Sequence, residues 1–497
     1  MSRTILFQNV PSARYFVAVL FLASTPLLGQ NEEDALRTSS LEPGGTARSM
    51  ALGGAFGALG ADPGALSVNP GGMALYQTTE LSLTPSIEVI DARTTHYGKQ
   101  AVNTAEQLYF NNLALSLHFT GKEGSAFKGS TFGVIYDRTS GLNLSRTAKA
   151  EALDISLVQQ FVRQANGTPS DLLYDNYPFT AGLAWDTYLI DPVDTVSNTY
   201  QGANPEGTLV DHDHTITTTG ANGNTSIFYA TNYADKVYIG ASIGILNSRL
   251  EQRTRHTETA LDVNDALQTF TWEESLSIRG SGVDFKVGAV GRFTDRFRAG
   301  IAFHSPAFYS MNDAYTASIT SGFVDGTSWS QDSPDGSYAY RIRTPWRTVV
   351  SAAYLAGQHG TVSVDYEYAD FRSMRFRQSR SQIDDYDFSV ENTRIKDVFQ
   401  ATHNVRIGTE WRFGPWYGRG GWAYRPDPYV NEEPRHGLPL TRYALGVGYR
   451  RTHVSLDLTL TYDQRGMRYY TYSSDLIDPV DATISGYRTF FTFTYRP

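Results

Sequence analysis

The feature that most constrains this chain is a period of two that recurs from residue 79 to the C-terminal end. Val405, Ile407, Thr409, Trp411 and Phe413 are interleaved with Asn404, Arg406, Gly408, Glu410 and Arg412. A strand sends successive side chains to opposite faces, so one face of this segment is apolar and the other polar or charged. Val454, Leu456, Leu458 and Leu460 stand in the same relation to Ser455, Asp457, Thr459 and Thr461. So do Leu113, Leu115, Leu117 and Phe119 to Asn112, Ala114, Ser116 and His118, and Val362, Val364 and Tyr366 to Ser363, Asp365 and Glu367.

Segments of this kind fall near 79–91, 109–119, 129–140, 223–233, 236–250, 275–292, 295–309, 343–356, 361–377, 401–413, 416–425, 441–451, 453–471 and 482–496. The connections between them alternate. Short ones lie near 120–128, 234–235, 294–295, 357–360, 414–415 and 452; long ones lie at 141–222, 251–274, 310–342, 378–400 and 426–440. The pattern predicts an all-β fold, a transmembrane antiparallel β-barrel of about fourteen strands with short turns on one side and long loops on the other. A soluble sandwich needs no such asymmetry. Trp346, Trp411, Trp416, Tyr417, Trp422 and Tyr449 also crowd the strand ends, as aromatic girdles do at lipid interfaces.

Composition narrows the function. Among 497 residues there is no cysteine, which removes disulfide frameworks, thiolate metal sites, thiol nucleophiles and a lipid anchor on cysteine. The net charge of −9 argues against nucleic acid as a partner. Residues 1–30 read as a cleaved export signal: Arg3 and Arg14 precede an apolar core at 15–23, which is too short to span a bilayer as a helix. The expected location is the outer membrane of a Gram-negative cell. The alternating aromatic strand Tyr487, Phe491, Phe493 and Tyr495 resembles the terminal signal read by barrel-insertion machinery, except that Arg496 and Pro497 follow it.

Residues 31–78 differ from the rest. They are rich in Gly and Ala, with turn signals at Asp62-Pro63-Gly64 and Asn69-Pro70-Gly71-Gly72. A fourteen-stranded barrel is too wide for its own side chains to fill, so this compact segment just before the first strand is expected to plug the lumen as a hatch.

Gly53-Gly54-Ala55-Phe56, Asp62 and Asn69-Pro70 resemble the N-terminal hatch of the long-chain fatty acid and hydrophobic compound transporter family (FadL/TodX), in its Bacteroidetes-type branch. The chain departs from that pattern at Gly71, where the family usually has Ala. The resemblance implies passive diffusion of a hydrophobic small molecule, such as a long-chain fatty acid. The molecule would be captured by an outer loop, held in the lumen and released sideways into outer-membrane lipid through a kinked third strand. Gly129, Gly133 and Gly141 are the candidate bend points. The alternative is an adaptor barrel of a type IX-like protein secretion system. No cofactor is implied, and a monomer is expected.

Three further clusters of residues bear on function. In the largest loop, Ala150, Leu153, Leu157 and Phe161 recur at helical spacing beside Val158, with Thr147 placed to start a helix and Asn166-Gly167 to stop it. This face either captures the ligand or packs onto the barrel mouth and closes it. Arg406, Glu410 and Arg412 are expected on the lumen face, holding an acidic headgroup or forming wall-to-hatch ion pairs. Asp211-His212-Asp213-His214 has the composition of a metal site but no spaced second half, and is expected to be a solvated loop without metal. With no nucleophile elbow and no zinc-protease motif in the sequence, the chain is not expected to be an enzyme.

Overall fold

The computed structural model describes residues 31–194, 197–381 and 386–497; the expected export signal lies outside them. Fourteen antiparallel strands form a closed barrel. They are β1 (Glu80–His96), β2 (Lys99–Thr120), β3 (Phe127–Gly141), β4 (Val210–Tyr233), β5 (Val237–Ala260), β6 (Leu267–Arg292), β7 (Phe297–His304 and Phe308–Phe323), β8 (Gly336–Arg343 and Arg347–Leu355), β9 (Gly360–Asp370 and Arg375–Gln378), β10 (Ala401–Phe413), β11 (Trp416–Arg425), β12 (Leu440–Arg450), β13 (Val454–Tyr469) and β14 (Val480–Tyr495). Each pairs with its neighbours in sequence, and β1 closes the ring on β14 from Leu81 opposite Tyr495 to Thr95 opposite Asp481. Among the described residues no helix is long and apolar enough to cross a membrane.

The outward face carries the lipid belt. On β5, Val237, Ile239, Ile243 and Ile245 are exposed, and the same face then continues as Asn247, Arg249, Glu251, Arg253 and Arg255. The change from apolar to charged marks the outer edge of the belt. Many inward-facing residues are small, polar or charged, and large apolar ones such as Leu250, Trp272, Tyr309 and Tyr340 gather toward the outer part of the barrel.

Several strands run further outward than their sequence pattern indicated. β4, β5 and β6 reach residues 210, 260 and 267, so the expected loop at 251–274 is mostly strand. Beyond the lipid both faces are polar, as in the Thr-rich stretch 215–219, and the apolar alternation disappears. The first connection, which the strand segments 79–91 and 109–119 leave at 92–108, is a tight turn at Tyr97-Gly98, both at positive φ (44° and 78°), topping a tall β1–β2 hairpin. The stretch 310–342 is likewise mostly strand. β7 and β8 break at the same height, around Pro306 and Pro345, because proline has no N–H to give to the ladder.

Residues 147–153, expected to open the loop helix, instead belong to a strand, Leu144–Leu153, that pairs with β4. The helix, α1 (Leu157–Ala165), is capped by Ser156 and ends at Asn166. Leu153 therefore lies on the strand, with only Leu157, Val158 and Phe161 on the helix.

Candidate ligand pathway

Residues 43–76 touch inward-facing wall residues from many strands. The segment's short helix Ala47–Ala51 starts at Thr46, whose hydroxyl donates to both oxygens of Asp62 (2.8 and 2.9 Å); Asp62 in turn accepts from Gly64 N–H (2.9 Å). Gly53 and Gly54 turn the chain at φ of 65° and 81°. A Cβ on Gly53 would stand 2.9 Å from the Trp422 backbone nitrogen, so the segment approaches the wall as closely as backbone allows. The Phe56 and Gly57 N–H groups donate to Asp365 (2.8 and 3.0 Å), Phe56 is fully buried beneath the Arg48 guanidinium, and Ala55 is buried beside it. Asn69 accepts from Gly71 N–H and donates to Gly57 O and Ala289 O, while Pro70 opens the short 3-10 turn that follows. At Gly71 a Cβ would lie 2.8 Å from Ala289 Cα and 2.9 Å from Tyr238 O. This wall leaves no room for an alanine there.

The expected lumen charges separate. Glu410 binds Arg48 of the segment through both oxygens (2.9 Å each) and also accepts from Arg419, which reaches Asp457 (2.6 Å). Arg406 pairs with Glu367 (2.9 Å). Arg412 is exposed at the short-turn end and donates to Gly414 O (3.1 Å), so it is not part of the lumen set. Arg48 and Arg419 were missed in the sequence because nothing local distinguishes them from solvated arginines.

Above the segment lies a cavity of about 1400 Å³. Arg146, Arg425, Arg465 and Arg488 line it, together with the acidic Glu42 and Asp463. Glu42 binds Arg442 and Arg488 (2.7 and 2.8 Å), whereas the Arg465 side chain has no hydrogen-bond or ion-pair partner among the described residues. Helix α1 roofs the cavity. Leu157 and Phe161 are fully buried and Val158 nearly so, among Phe270, Trp272, Ile319 and Tyr472. That face is closed packing, with no open groove.

The wall itself has a break. The β2–β3 ladder runs from Thr120 opposite Gly129 to Asn112 opposite Asp137 and stops there. β2 continues upward paired with β1 to Lys99, and β3 bulges at Thr139 and continues against β4. Residues 99–111 thus face 138–153 without a backbone ladder. Side chains close the interval: Arg138 donates to Gln107 Oε1 (2.7 Å) and lies 3.9 Å over the Tyr109 ring, and Asn103 donates to Thr147 (3.2 Å). From inside, Glu42 N–H donates to Thr139 O (2.7 Å), and Gly45 O accepts from Asn111 (2.6 Å). Of the three candidate bend glycines, Gly141 adjoins the break, Gly133 sits within the regular ladder and Gly129 lies beside the short-turn bulge.

Solved structures that share this fold include two transporter-type barrels from Pseudomonas. The Pseudomonas putida toluene transporter TodX is 12% identical, with 92% of this chain and 99% of that chain covered at a TM-score of 0.53. A Pseudomonas aeruginosa FadL homologue is 14% identical over 92% of this chain and 99% of that one, at a TM-score of 0.54. No family model matches the sequence, and no curated protein matches it.

Proposed function

We propose that the chain is a passive outer-membrane channel of the FadL/TodX kind for hydrophobic compounds with an acidic headgroup, long-chain fatty acids foremost. The observation that carries this reading is the interrupted ladder between β2 and β3, closed only by side chains and backed by residues 42–45. An acyl chain costs about 0.8 kcal/mol per CH₂ to place in water, so a sideways route into lipid removes a large barrier to release. The partnerless Arg465 and its arginine neighbours suit a carboxylate arriving in the cavity.

In this reading residues 31–78 are the plug that prevents leakage, anchored through Asp365, Glu410 and Asn69. Opening of α1 admits the ligand, and Leu157, Val158 and Phe161 meet it as they leave their packed positions. The fold shared with a toluene transporter supports a hydrophobic cargo. The test is uptake of labelled oleate by cells lacking their own transporter. Saturable uptake that falls several-fold in an Arg465→Ala variant is expected; no uptake by a correctly inserted barrel would remove fatty acids as the substrate.

A further inference from the structure

The stretch 211–214 is the outer part of β4, not a loop. Alternation buries His212 and His214 on the inner face and leaves Asp211 and Asp213 partly exposed. β4 pairs with β5 so that His212 stands opposite Glu258 and His214 opposite His256. The second half that the motif lacks in sequence is thus supplied by the neighbouring strand, where directly opposed side chains come within contact range. The cluster lies beyond the lipid belt, since β5 is already charged on its outer face from Arg249 onward.

His212, His256 and Glu258 are 5%, 1% and 2% exposed. Glu258 Oε1 stands 2.9 Å from His256 Nε2 and 3.6 Å from His212 Nε2, and one donor atom of each residue lies within 4.8 Å of the others. Zinc bonds of roughly 2.0–2.2 Å in a tetrahedral arrangement set donors about 3.3 Å apart, and the two shorter separations bracket that value. Supporting groups are also in place. His256 Nδ1 faces His214 Nδ1 at 3.3 Å, and Glu258 accepts from the Ser156 hydroxyl and from Leu157 N–H (2.5 and 2.7 Å). Ligating imidazoles and carboxylates are held by such outer partners.

Without a metal two groups of the pocket lack a partner: His212 Nδ1 and the Tyr472 hydroxyl are buried with no hydrogen-bond partner among the described residues, whereas His212 Nε2 lies 2.9 Å from Ile155 O, a contact it gives up on binding metal, and the Tyr472 ring packs on His256.

We infer that His212, His256 and Glu258 form a divalent transition-metal site, best matched to zinc, at the foot of the helix that roofs the lumen. Because Glu258 also holds the first turn of α1, an ion there fixes the roof to the wall.

The test uses the full-length barrel with a histidine-free affinity tag, stripped by chelator and titrated with Zn²⁺. One ion per chain is expected. His212→Asn and His256→Asn should each weaken binding at least about 100-fold, the upper end of what loss of even an outer partner costs a metal site. His403→Asn, on the outer face of β10, should change nothing. Heat-modifiable gel mobility confirms that each variant is folded. Should a variant not fold, X-ray absorption of the wild-type zinc form decides the matter, since two imidazoles must appear in its shell. No saturable binding, equal binding by the variants, or a shell without imidazole would overturn the site.

Discussion

Among single residues, the contacts between segment 43–76 and the wall make the most definite demands. Glu410 neutralises Arg48 and shares Arg419 with Asp457, so Glu410→Gln leaves the buried Arg48 guanidinium without its close anion and Arg419 with Asp457 alone. Breaking such a pair typically costs about 3–5 kcal/mol, and the loss falls on the docking of the segment rather than on the ladder. The variant should still insert but show frequent large conductance steps in planar bilayers, where the wild type is quiet. Gly71→Ala makes a different kind of test. Its added methyl has no space against Ala289 and Tyr238, and overpacking of this kind costs about 1–3 kcal/mol. A lower urea midpoint of unfolding is expected, even though the resembled family usually carries alanine there. An unchanged midpoint would mean that the wall yields at this point.

The behaviour of whole elements turns on packing. Helix α1 is held down by Leu157 and Phe161, and replacing both with Ser removes two fully buried side chains, each worth about 2–5 kcal/mol. Limited proteolysis should then cut within 154–209 at least tenfold faster, with the barrel intact. Equal cutting rates would show that other contacts hold the roof.

The elements also show what the sequence could reveal. Within the lipid, one face of every strand must be apolar, and that alternation is visible in β10 or β13 without any structure. Beyond the lipid it vanishes, which is why the outer reaches of β4 to β6 read as loops. Ala150 and Leu153 fit a helical spacing by coincidence, and strand pairing with β4 overrode it. The Asn69, Asp62 and Gly53-Gly54 positions were legible because turns demand those residue types. The partners of Glu410, the break above Asp137 and the His256/Glu258 half of the histidine cluster were not, because each depends on which strands become neighbours.

At the scale of the molecule, the barrel, the roof and segment 31–78 form one account of controlled passage. Deleting 31–72 should leave a barrel that conducts ions steadily in planar bilayers; no gain in conductance would show that the segment is not the plug. Passage through the wall, however, depends on the sideways route between β2 and β3. The chain has no cysteine, so a Gln107→Cys, Ser140→Cys pair can be bridged across the break without side reactions. The measurement is labelled oleate uptake by cells carrying this variant, before bridging, after bridging with a reducible crosslinker, and after reduction. Uptake is expected to be lost on bridging and restored on reduction; uptake that continues undiminished through a fully bridged wall would rule the sideways route out.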